Sequence, residues 1–179
     1  MNNKKQIGLA IVGCGTIGRI RALMARDYPG IGWIGLCDIN SDLGNKLFDD
    51  CKADFFTKDY NELLKRDEVD AVIIATDENH HFGPTMAAIE AKASLFIEKP
   101  LATDLIESRQ VLDAINAANI DAVLGYTQRF RRRFLAVKQK LNDNNIGDVT
   151  SVVTRAFMNS MVPIATVRRT NERLSLIHI

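Results

Sequence analysis

Apolar and polar positions follow two different periods along most of the chain. Short, almost wholly apolar runs, which are typical of buried strands, alternate with segments whose apolar positions recur every three or four residues, as in helices. The strand-like runs lie at residues 7–12, 33–37, 55–56, 69–76, 94–98 and 122–126. This alternation predicts an α/β fold in which helices cover both faces of a doubly wound parallel sheet.

The helical segments carry start and stop signals. The first helix is expected to begin near Thr16 and to end before the Pro29-Gly30 pair, which is a natural stop. Ser41 is expected to cap the second helix, and a further helix should span about 84–91. Acidic pairs three residues apart resemble capping boxes at two other helix starts: Asp59 with Glu62, and Asp104 with Glu107.

Two of these helices are expected to direct an apolar face at the core. A spacing of four residues places Leu43, Leu47 and Cys51 on one face of the second helix. The helix after Asp104 is expected to direct four apolar residues inward: Val111, Leu112, Ile115 and Ala118.

Six strands complete a doubly wound unit by about Tyr126, and the remaining residues differ from it. A helix is predicted around 134–141, and the β-rich stretch VTSVVTRAF, starting at Val149, resembles the opening strand of another sheet. We therefore expect one complete domain at 1–126 and the beginning of a second α/β domain, cut short, at 127–179.

Composition argues against several classes of function. Of the 179 residues, 46% are hydrophobic and 25% are charged, and the net charge is +1, which gives no general attraction to nucleic acid or to acidic membranes. The three cysteines, Cys14, Cys37 and Cys51, stand without histidines at ligand spacing, so neither a disulfide framework nor a metal site is expected. No apolar run approaches transmembrane length, and we expect a cytoplasmic protein.

The arginines between Arg129 and Arg133, interleaved with Phe130 and Phe134, allow two interpretations. They could form a nucleic-acid-binding patch, or they could be the solvated start of a helix whose aromatic rings face the core. The near-neutral net charge favours the solvated helix start.

The hexamer GCGTIG matches the pattern G-x-G-x-x-G directly after an apolar strand and at the start of a helix. In that context Gly13 permits a tight turn, Gly15 lets a pyrophosphate approach the backbone, and Gly18 allows the helix to pack closely on the strand. The backbone N–H groups of Thr16 and Ile17 would then face the phosphates at the positive end of the helix. The hexamer therefore predicts a dinucleotide-binding Rossmann fold.

Asp38 ends the second strand, twenty residues after Gly18. A carboxylate there can accept hydrogen bonds from both hydroxyls of the adenosine ribose, and it would repel a 2′-phosphate. Residues 39–41 include no arginine that would bind such a phosphate. We therefore expect NAD rather than NADP as the cofactor, against the alternative that Asp38 only starts a turn.

Further stretches carry a family resemblance: IAT at 74–76, GPTMAAIEAKASLFIEKPL ending at Leu101, GYTQRF at 125–130, and IGDVTSV. Together with GCGTIG and Asp38 they make the chain similar to the Gfo/Idh/MocA oxidoreductases, over residues 7 to about 157. This family includes glucose–fructose oxidoreductase and inositol dehydrogenase. The resemblance implies a homo-oligomeric dehydrogenase acting on a sugar, polyol or related alcohol, with 127–179 beginning the substrate and oligomerisation domain.

The Glu-Lys-Pro sequence at 98–100 is the most specific element of the resemblance. It implies that Lys99 is catalytic: its ammonium group donates hydrogen bonds to the substrate hydroxyl and stabilises alkoxide character as hydride leaves the carbon. The alternative is a surface lysine in a loop. The resemblance also places Glu98 and Lys99 beside the nicotinamide and makes the peptide before Pro100 cis. Three more residues are expected to contact the cofactor: Thr76, and near the nicotinamide His81 and Gln128. The alternative for His81 is a structural role.

The chain departs from the family pattern just before His81. The family often has Thr-Pro-Asn where this chain has Thr76-Asp77-Glu78, which puts an inherited cofactor contact at Glu78 in doubt. Lys92 also replaces a glycine that is common after the preceding helix.

The family's second domain supplies an aspartate and a histidine that complete the catalytic group, and no such pair is found in this sequence. His178 does not stand in the family context, and the tail RLSLIHI resembles translated adapter sequence. We therefore expect an N-terminal fragment without substantial turnover. The alternative is a nonenzymatic NAD-binding redox sensor or transcription regulator. Lys99 favours the enzyme, because a sensor needs the glycine loop but not that lysine.

Overall fold

The computed structural model describes residues 6–153 and Arg155. Its centre is a six-stranded, wholly parallel sheet in the order β3-β2-β1-β4-β5-β6, which confirms the predicted doubly wound sheet. The strands are β1 (Ile7–Val12), β2 (Ile31–Cys37), β3 (Phe55–Thr57), β4 (Ala71–Ile74), β5 (Ser94–Ile97) and β6 (Ala122–Leu124). The helices are α1 (Thr16–Arg26), α2 (Ser41–Cys51), α3 (Tyr60–Leu64), α4 (Phe82–Glu90), α5 (Leu105–Ala118) and α6 (Arg132–Asn142).

The sheet buries apolar side chains on both of its faces. Ala10 and Ile11, which are both fully buried, belong to different core clusters because successive residues of a strand point to opposite faces. Ile11 packs in a cluster that contains residues of α1 and α2, such as Leu47. Ala10 packs in a cluster that contains residues of α3, α4 and α5, such as Val111. Burial on both faces explains why the strand-like runs are apolar almost throughout.

Three expected strands, β4, β5 and β6, are shorter than the apolar runs that predicted them. β4 covers only Ala71–Ile74 of the run at 69–76, because its pairing with β1 extends only from Leu9↔Ala71 to Val12↔Ile74. β5 ends at Ile97, so Glu98 follows the strand instead of belonging to it. The residues after these strand ends are therefore free to form loops at the carboxyl edge of the sheet.

The residue that caps α2 is Asn40, and the expectation that Ser41 is the cap is wrong. The Asn40 backbone is extended, with φ −89° and ψ 104°, and its side-chain oxygen accepts hydrogen bonds from the N–H groups of Asp42 (3.0 Å) and Leu43 (3.2 Å). Ser41 is already helical. A cap must stand outside the helix for its side chain to turn back onto the first N–H groups, and here only Asn40 does so.

Two apolar residues that were expected to face the core are exposed. Leu43 is 44% exposed, and the buried residues of α2 are Gly44, Leu47 and Cys51. A side chain at Gly44 would overlap the Phe56 ring, so Gly44 lies on the inward face of α2. Leu112 of α5 is 53% exposed, whereas its neighbour Val111 is fully buried.

Both predicted capping boxes are only half formed, because among the described residues neither Glu107 nor Glu62 accepts a hydrogen bond from the N–H of its capping aspartate. Asp104 accepts hydrogen bonds from the N–H groups of Ile106 (2.7 Å) and Glu107 (3.1 Å), as a cap should. Asp59 caps α3 through the N–H of Asn61 (2.8 Å), but Glu62 accepts a short hydrogen bond from the Thr57 hydroxyl instead of returning to Asp59. The N–H of Asp59 donates to the same hydroxyl oxygen (3.2 Å), so the reciprocal half of that box is wrong.

The chain divides into two compact units, one ending at Arg131 and the other beginning at Arg132. The second unit contains α6, in which no residue is buried. Residues 149–153 form no strand, so the expected strand is wrong over that part of the described chain. Most of the remaining residues to 157, and the tail with His178, lie outside the described residues.

No helix within 6–153 has both the length and the apolar character needed to cross a membrane.

Candidate cofactor site

The glycine loop lies at the carboxyl edge of the sheet, where the strand order reverses. β1 is bonded to β2 on one side and to β4 on the other, and open α/β sheets bind ligands in the crevice outside such a reversal. The N–H of Gly13 donates to the carbonyl oxygen of Cys37 at the end of β2 (2.8 Å). On the other side, a Cβ atom on Gly13 would lie 2.5 Å from the carbonyl oxygen of Ala75, just after β4. The loop therefore occupies the crevice.

The three glycines of the hexamer have different reasons for lacking a side chain. Gly13 has φ +101°, which L side chains rarely adopt. A Cβ atom on Gly18 would lie 1.8 Å from the carbonyl oxygen of Gly13, so α1 could not pack so closely on the loop with any other residue. A Cβ atom on Gly15 would meet nothing within 4 Å. The space above Gly15 is open, as it must be for a pyrophosphate to reach the backbone.

The start of α1 is free to bind an anion. Gly15 occupies the cap position and makes no side-chain hydrogen bond, and the first turn contains no acidic residue. Thr16 and Ile17, the first two helical residues, are exposed. The uncapped N–H groups and the positive end of an eleven-residue helix are therefore available to phosphate oxygens.

Asp38 is bonded directly to the glycine loop. Its Oδ2 accepts a hydrogen bond from the N–H of Cys14 (2.7 Å), and its Oδ1 accepts one from the N–H of Asn40 (2.8 Å). Each carboxylate oxygen keeps a lone-pair direction free, so Asp38 can also accept hydrogen bonds from ribose hydroxyls. The side chain is half-buried and fixed in place at the end of β2.

The three cysteines beside this site are free and buried. Burial, with a smaller contribution from the Asp38 carboxylate, raises the pKa of the Cys14 thiol to about 12, and the same causes raise the pKa of Cys37 to about 12. Burial also raises the pKa of Cys51. These thiols are not nucleophiles at neutral pH. Within the described residues, no group of three or more His, Cys, Asp or Glu side chains is placed to hold a metal ion.

An ion pair fixes Glu98 at the end of β5. Nε and Nη2 of Arg21, on α1, both donate to Oε1 of Glu98, and the Nε bond is 2.8 Å long. The two side chains are only 24% and 13% exposed. The Arg21 guanidinium also lies over the Phe96 ring, with its carbon 4.9 Å from the centroid. A side chain at Gly125 would lie 2.9 Å from Oε2 of Glu98, so this glycine leaves room for the carboxylate.

His81 holds the other side of the same turn. The peptide between Lys99 and Pro100 is cis, and Nδ1 of His81 lies 2.8 Å from the carbonyl oxygen of Pro100. Nε2 of His81 lies 3.3 Å from the carbonyl oxygen of Thr76, after β4. The His81 side chain is 1% exposed. Lys99 is exposed, whereas both of its neighbours in the turn are held by contacts with other elements.

Thr76 and Gln128 differ in their surroundings. The Thr76 hydroxyl oxygen is buried and has no hydrogen-bond partner among the described residues, which is unusual for a buried polar atom. A group bound at the carboxyl edge could satisfy it. Gln128 is exposed in the 3₁₀ turn Thr127–Phe130 after β6.

Arg21 was not anticipated from the sequence, although a signal was present. It follows Gly18 by three residues on α1, and positions three and four apart share one face of a helix. The buried residues of α1 are Gly18 and Ala22, so Arg21 stands beside the face that packs on the sheet. A cation at the margin of a core needs a partner, and Glu98 is that partner.

The described residues form a continuous arrangement that fits a dinucleotide. The glycine loop and the start of α1 suit the pyrophosphate, Asp38 suits the ribose on the β2 side, and Thr76 with Glu98 lies on the opposite side.

Comparisons with known proteins find relatives that are named as dehydrogenases. The chain is 30% identical over 159 residues to inositol 2-dehydrogenase of Salmonella typhimurium (strain LT2), covering 86% of this chain and 46% of that protein. It is 26% identical over 139 residues to myo-inositol 2-dehydrogenase of Thermotoga maritima, covering 78% of this chain and 42% of that protein. The chain thus spans less than half the length of these relatives.

A solved structure shows the same fold. The crystal structure of scyllo-inositol dehydrogenase from Lactobacillus casei with bound cofactor NAD(H) and scyllo-inositol matches with a TM-score of 0.76 at 24% identity. The match covers 82% of this chain and 44% of that one. The family model GFO_IDH_MocA, described as an oxidoreductase family with an NAD-binding Rossmann fold, matches residues 7–126. That range contains the glycine loop, Asp38 and the turn at Lys99, and the chain therefore belongs to the GFO_IDH_MocA oxidoreductase family through its NAD-binding Rossmann domain.

Proposed function

We propose that this chain forms the cofactor-binding part of an NAD-dependent dehydrogenase that oxidises an alcohol group of a sugar, polyol or related compound. The observation that carries the proposal is the placement of Lys99. Its side chain is exposed, while Glu98 before it is held by Arg21 and Pro100 after it is held by His81. A surface lysine without a function would not need a turn fixed on both sides.

Lys99 acts on the substrate hydroxyl. Its ammonium group donates a hydrogen bond to that oxygen and stabilises the negative charge that develops there as hydride leaves the neighbouring carbon. The bound NAD supplies the hydride acceptor. The hydroxyl proton goes to a base outside this domain, which the family resemblance places in the second domain. The 179-residue chain by itself is therefore expected to bind the cofactor without substantial turnover.

Asp38 favours NAD over NADP. Both of its carboxylate oxygens are bonded to backbone N–H groups, so the side chain cannot swing away to admit a 2′-phosphate. An anionic phosphate beside this fixed carboxylate would be repelled.

The other proposed contacts are distributed between the pyrophosphate and the nicotinamide half of the cofactor. Thr16 and Ile17 bind the pyrophosphate through their backbone N–H groups, and Thr76 and Gln128 contact the nicotinamide half. His81 supports that half through the carbonyl groups of Thr76 and Pro100, because both of its ring nitrogens already face these oxygens.

The relatives named above as inositol dehydrogenases make a cyclic polyol the first substrate class to test. Three free cysteines are in keeping with a reducing compartment, so we place the whole protein in the cytoplasm. The family resemblance supports a homo-oligomer that binds a small-molecule substrate and neither nucleic acid nor membrane.

The test measures NAD reduction by the whole protein that contains this chain, with a panel of inositols and open-chain polyols. Lys99→Met is expected to lower kcat at least about a hundredfold while the Kd for NADH stays unchanged. Lys46→Met, which removes an exposed lysine on α2, is the matched control and should retain full activity. Activity that survives Lys99→Met would refute the role of Lys99. Tight NADH binding with no alcohol oxidised would favour the redox sensor instead.

A further inference from the structure

The Arg21–Glu98 ion pair stands apart from the other ion pairs of the described chain. Its two partners are more buried than those of the pairs Arg19–Asp50, Arg26–Asp54 and Arg66–Glu68. A carboxylate that is only 13% exposed would be strongly disfavoured without a cation beside it. Arg21 meets Glu98 through two nitrogens and rests on Phe96, so the pair has little freedom to separate.

The strand order places this pair along the nicotinamide half of the cofactor. In the proposed site the pyrophosphate would lie at the loop after β1, and the adenosine would lie toward Asp38 at the end of β2. The other half must extend in the opposite direction, over the ends of β4 and β5. Glu98 directly follows β5, and Arg21 reaches it from α1.

The charge of the nicotinamide ring differs between the two forms of the cofactor. The ring of NAD⁺ is cationic, whereas that of NADH is neutral. An unpaired Glu98 carboxylate beside the ring would favour the oxidised form by Coulomb attraction, and an unpaired Arg21 would disfavour it. As an ion pair the two charges nearly cancel.

We propose that Arg21, acting through Glu98, sets the relative affinity of the protein for NAD⁺ and NADH. The proposal rests on the proposed NAD site, and it makes Arg21 a positioning residue with an electrostatic effect on the nicotinamide. Arg21 adjusts which form of the cofactor is held, and Lys99 acts on the substrate.

The experiment measures dissociation constants of the whole 179-residue chain for NAD⁺, NADH and ADP-ribose at mildly alkaline pH, where a freed carboxyl stays ionised. Arg21→Gln is expected to raise the ratio Kd(NADH)/Kd(NAD⁺) roughly tenfold. Glu98→Gln should move the same ratio in the opposite direction by a similar factor. The double variant should return this ratio close to its original value. Arg21→Lys, which keeps the charge, should leave the ratio unchanged.

ADP-ribose separates this proposal from the proposed function. It lacks the nicotinamide, so every variant that folds should bind it like the unaltered chain. If the unaltered chain failed to bind ADP-ribose, the dinucleotide site itself would be wrong. If ADP-ribose bound normally but Arg21→Gln and Glu98→Gln each changed the Kd for NAD⁺ and the Kd for NADH by the same factor, Arg21 would have only a structural role. The proposal would then be overturned.

Discussion

Asp38 combines two tasks in one side chain. Its carboxylate holds the glycine loop through the N–H of Cys14 and starts the turn into α2 through the N–H of Asn40. The two interpretations of Asp38, a ribose ligand and a strand-end aspartate that starts a turn, are therefore compatible in the structure. The fixed geometry also means that the charge stays in place when a ligand arrives.

We predict that Asp38→Ala weakens NADH binding far more than NADPH binding. The substitution removes a hydrogen-bond acceptor that favours NADH and, at the same time, a negative charge that repels NADPH. Titration of both cofactors against the variant checks this, and Asp42→Ala, four residues further on in the exposed first turn of α2, is the control. Equal losses for the two cofactors would contradict the assignment.

Substitutions at Gly15 and Gly18 are expected to affect different properties: the first cofactor binding, the second the stability of the fold. A Cβ atom on Gly15 meets open space, and its backbone φ of −64° suits any residue. A Cβ atom on Gly18 would instead collide with the backbone of Gly13, which cannot move aside like a flexible side chain.

Gly15→Ala is accordingly expected to weaken NADH binding while lowering the free energy of unfolding by less than about 1 kcal/mol. Gly18→Ala should lower the free energy of unfolding by about 3 kcal/mol, the upper end for overpacking. Urea unfolding and an NADH titration measure the two effects on the same preparations. A stable Gly18→Ala variant would mean that α1 packs less closely on the loop than the structure indicates.

At the scale of elements, the start of α2 shows how one residue sets a helix boundary. Asn40 and Ser41 are both good capping residues by type, and the sequence does not say at which one the backbone leaves the extended conformation. The structure places the change after Asn40, whose side-chain oxygen accepts hydrogen bonds from the N–H groups of Asp42 and Leu43 in the first turn.

Asn40→Ala should therefore lower the free energy of unfolding by about 1 kcal/mol, because two N–H groups lose their acceptor. Ser41→Ala is the natural comparison and should have an effect within about 0.5 kcal/mol. Thermal or urea unfolding of the two variants measures the difference. If Ser41→Ala proved the more destabilising, the cap would be at the residue first expected.

The elements that could be predicted are those whose burial leaves a strong periodic signal. The sheet strands were identified because both faces are buried, and the glycine loop because its G-x-G-x-x-G pattern directly follows an apolar strand and opens a helix. Leu43 and Leu112 were misplaced because helical spacing identifies a face but not the exact angle at which it meets the sheet. The Arg21–Glu98 pair was missed because its partners stand 77 residues apart, and no local pattern links them.

At the scale of the whole molecule, the described structure is a Rossmann unit followed by a second unit, of which α6 is the one regular element described. The first unit has its own core on both sheet faces. The curated relatives are more than twice as long as the part of them that this chain matches. A domain with its own core and a distributed cofactor site can bind its ligand without performing the whole reaction.

We predict that the purified 179-residue chain binds NADH but reduces NAD with polyols only negligibly. The proposed catalytic group within it is Lys99, whereas the family resemblance places the general base in the second domain, and acid–base assistance alone is worth about a hundred- to ten-thousandfold. A spectrophotometric assay at high enzyme concentration checks this, with the NADH titration as the control for folding. Robust turnover by this chain would mean that its own residues include the base.

Cys14 stands inside the glycine loop, between the two glycines that shape it, and its thiol is shut away from solvent with a pKa of about 12. The sulfur can therefore meet an alkylating reagent only during the moments when the loop opens. The alkylation rate of Cys14 would therefore measure how often the loop opens, and a dinucleotide bound across the loop should lower that rate. Cys14 takes no part in the proposed chemistry, yet its alkylation rate would report the fraction of protein that has the cofactor bound. Mass spectrometry would measure that rate in a mixture where no other signal distinguishes bound from free protein.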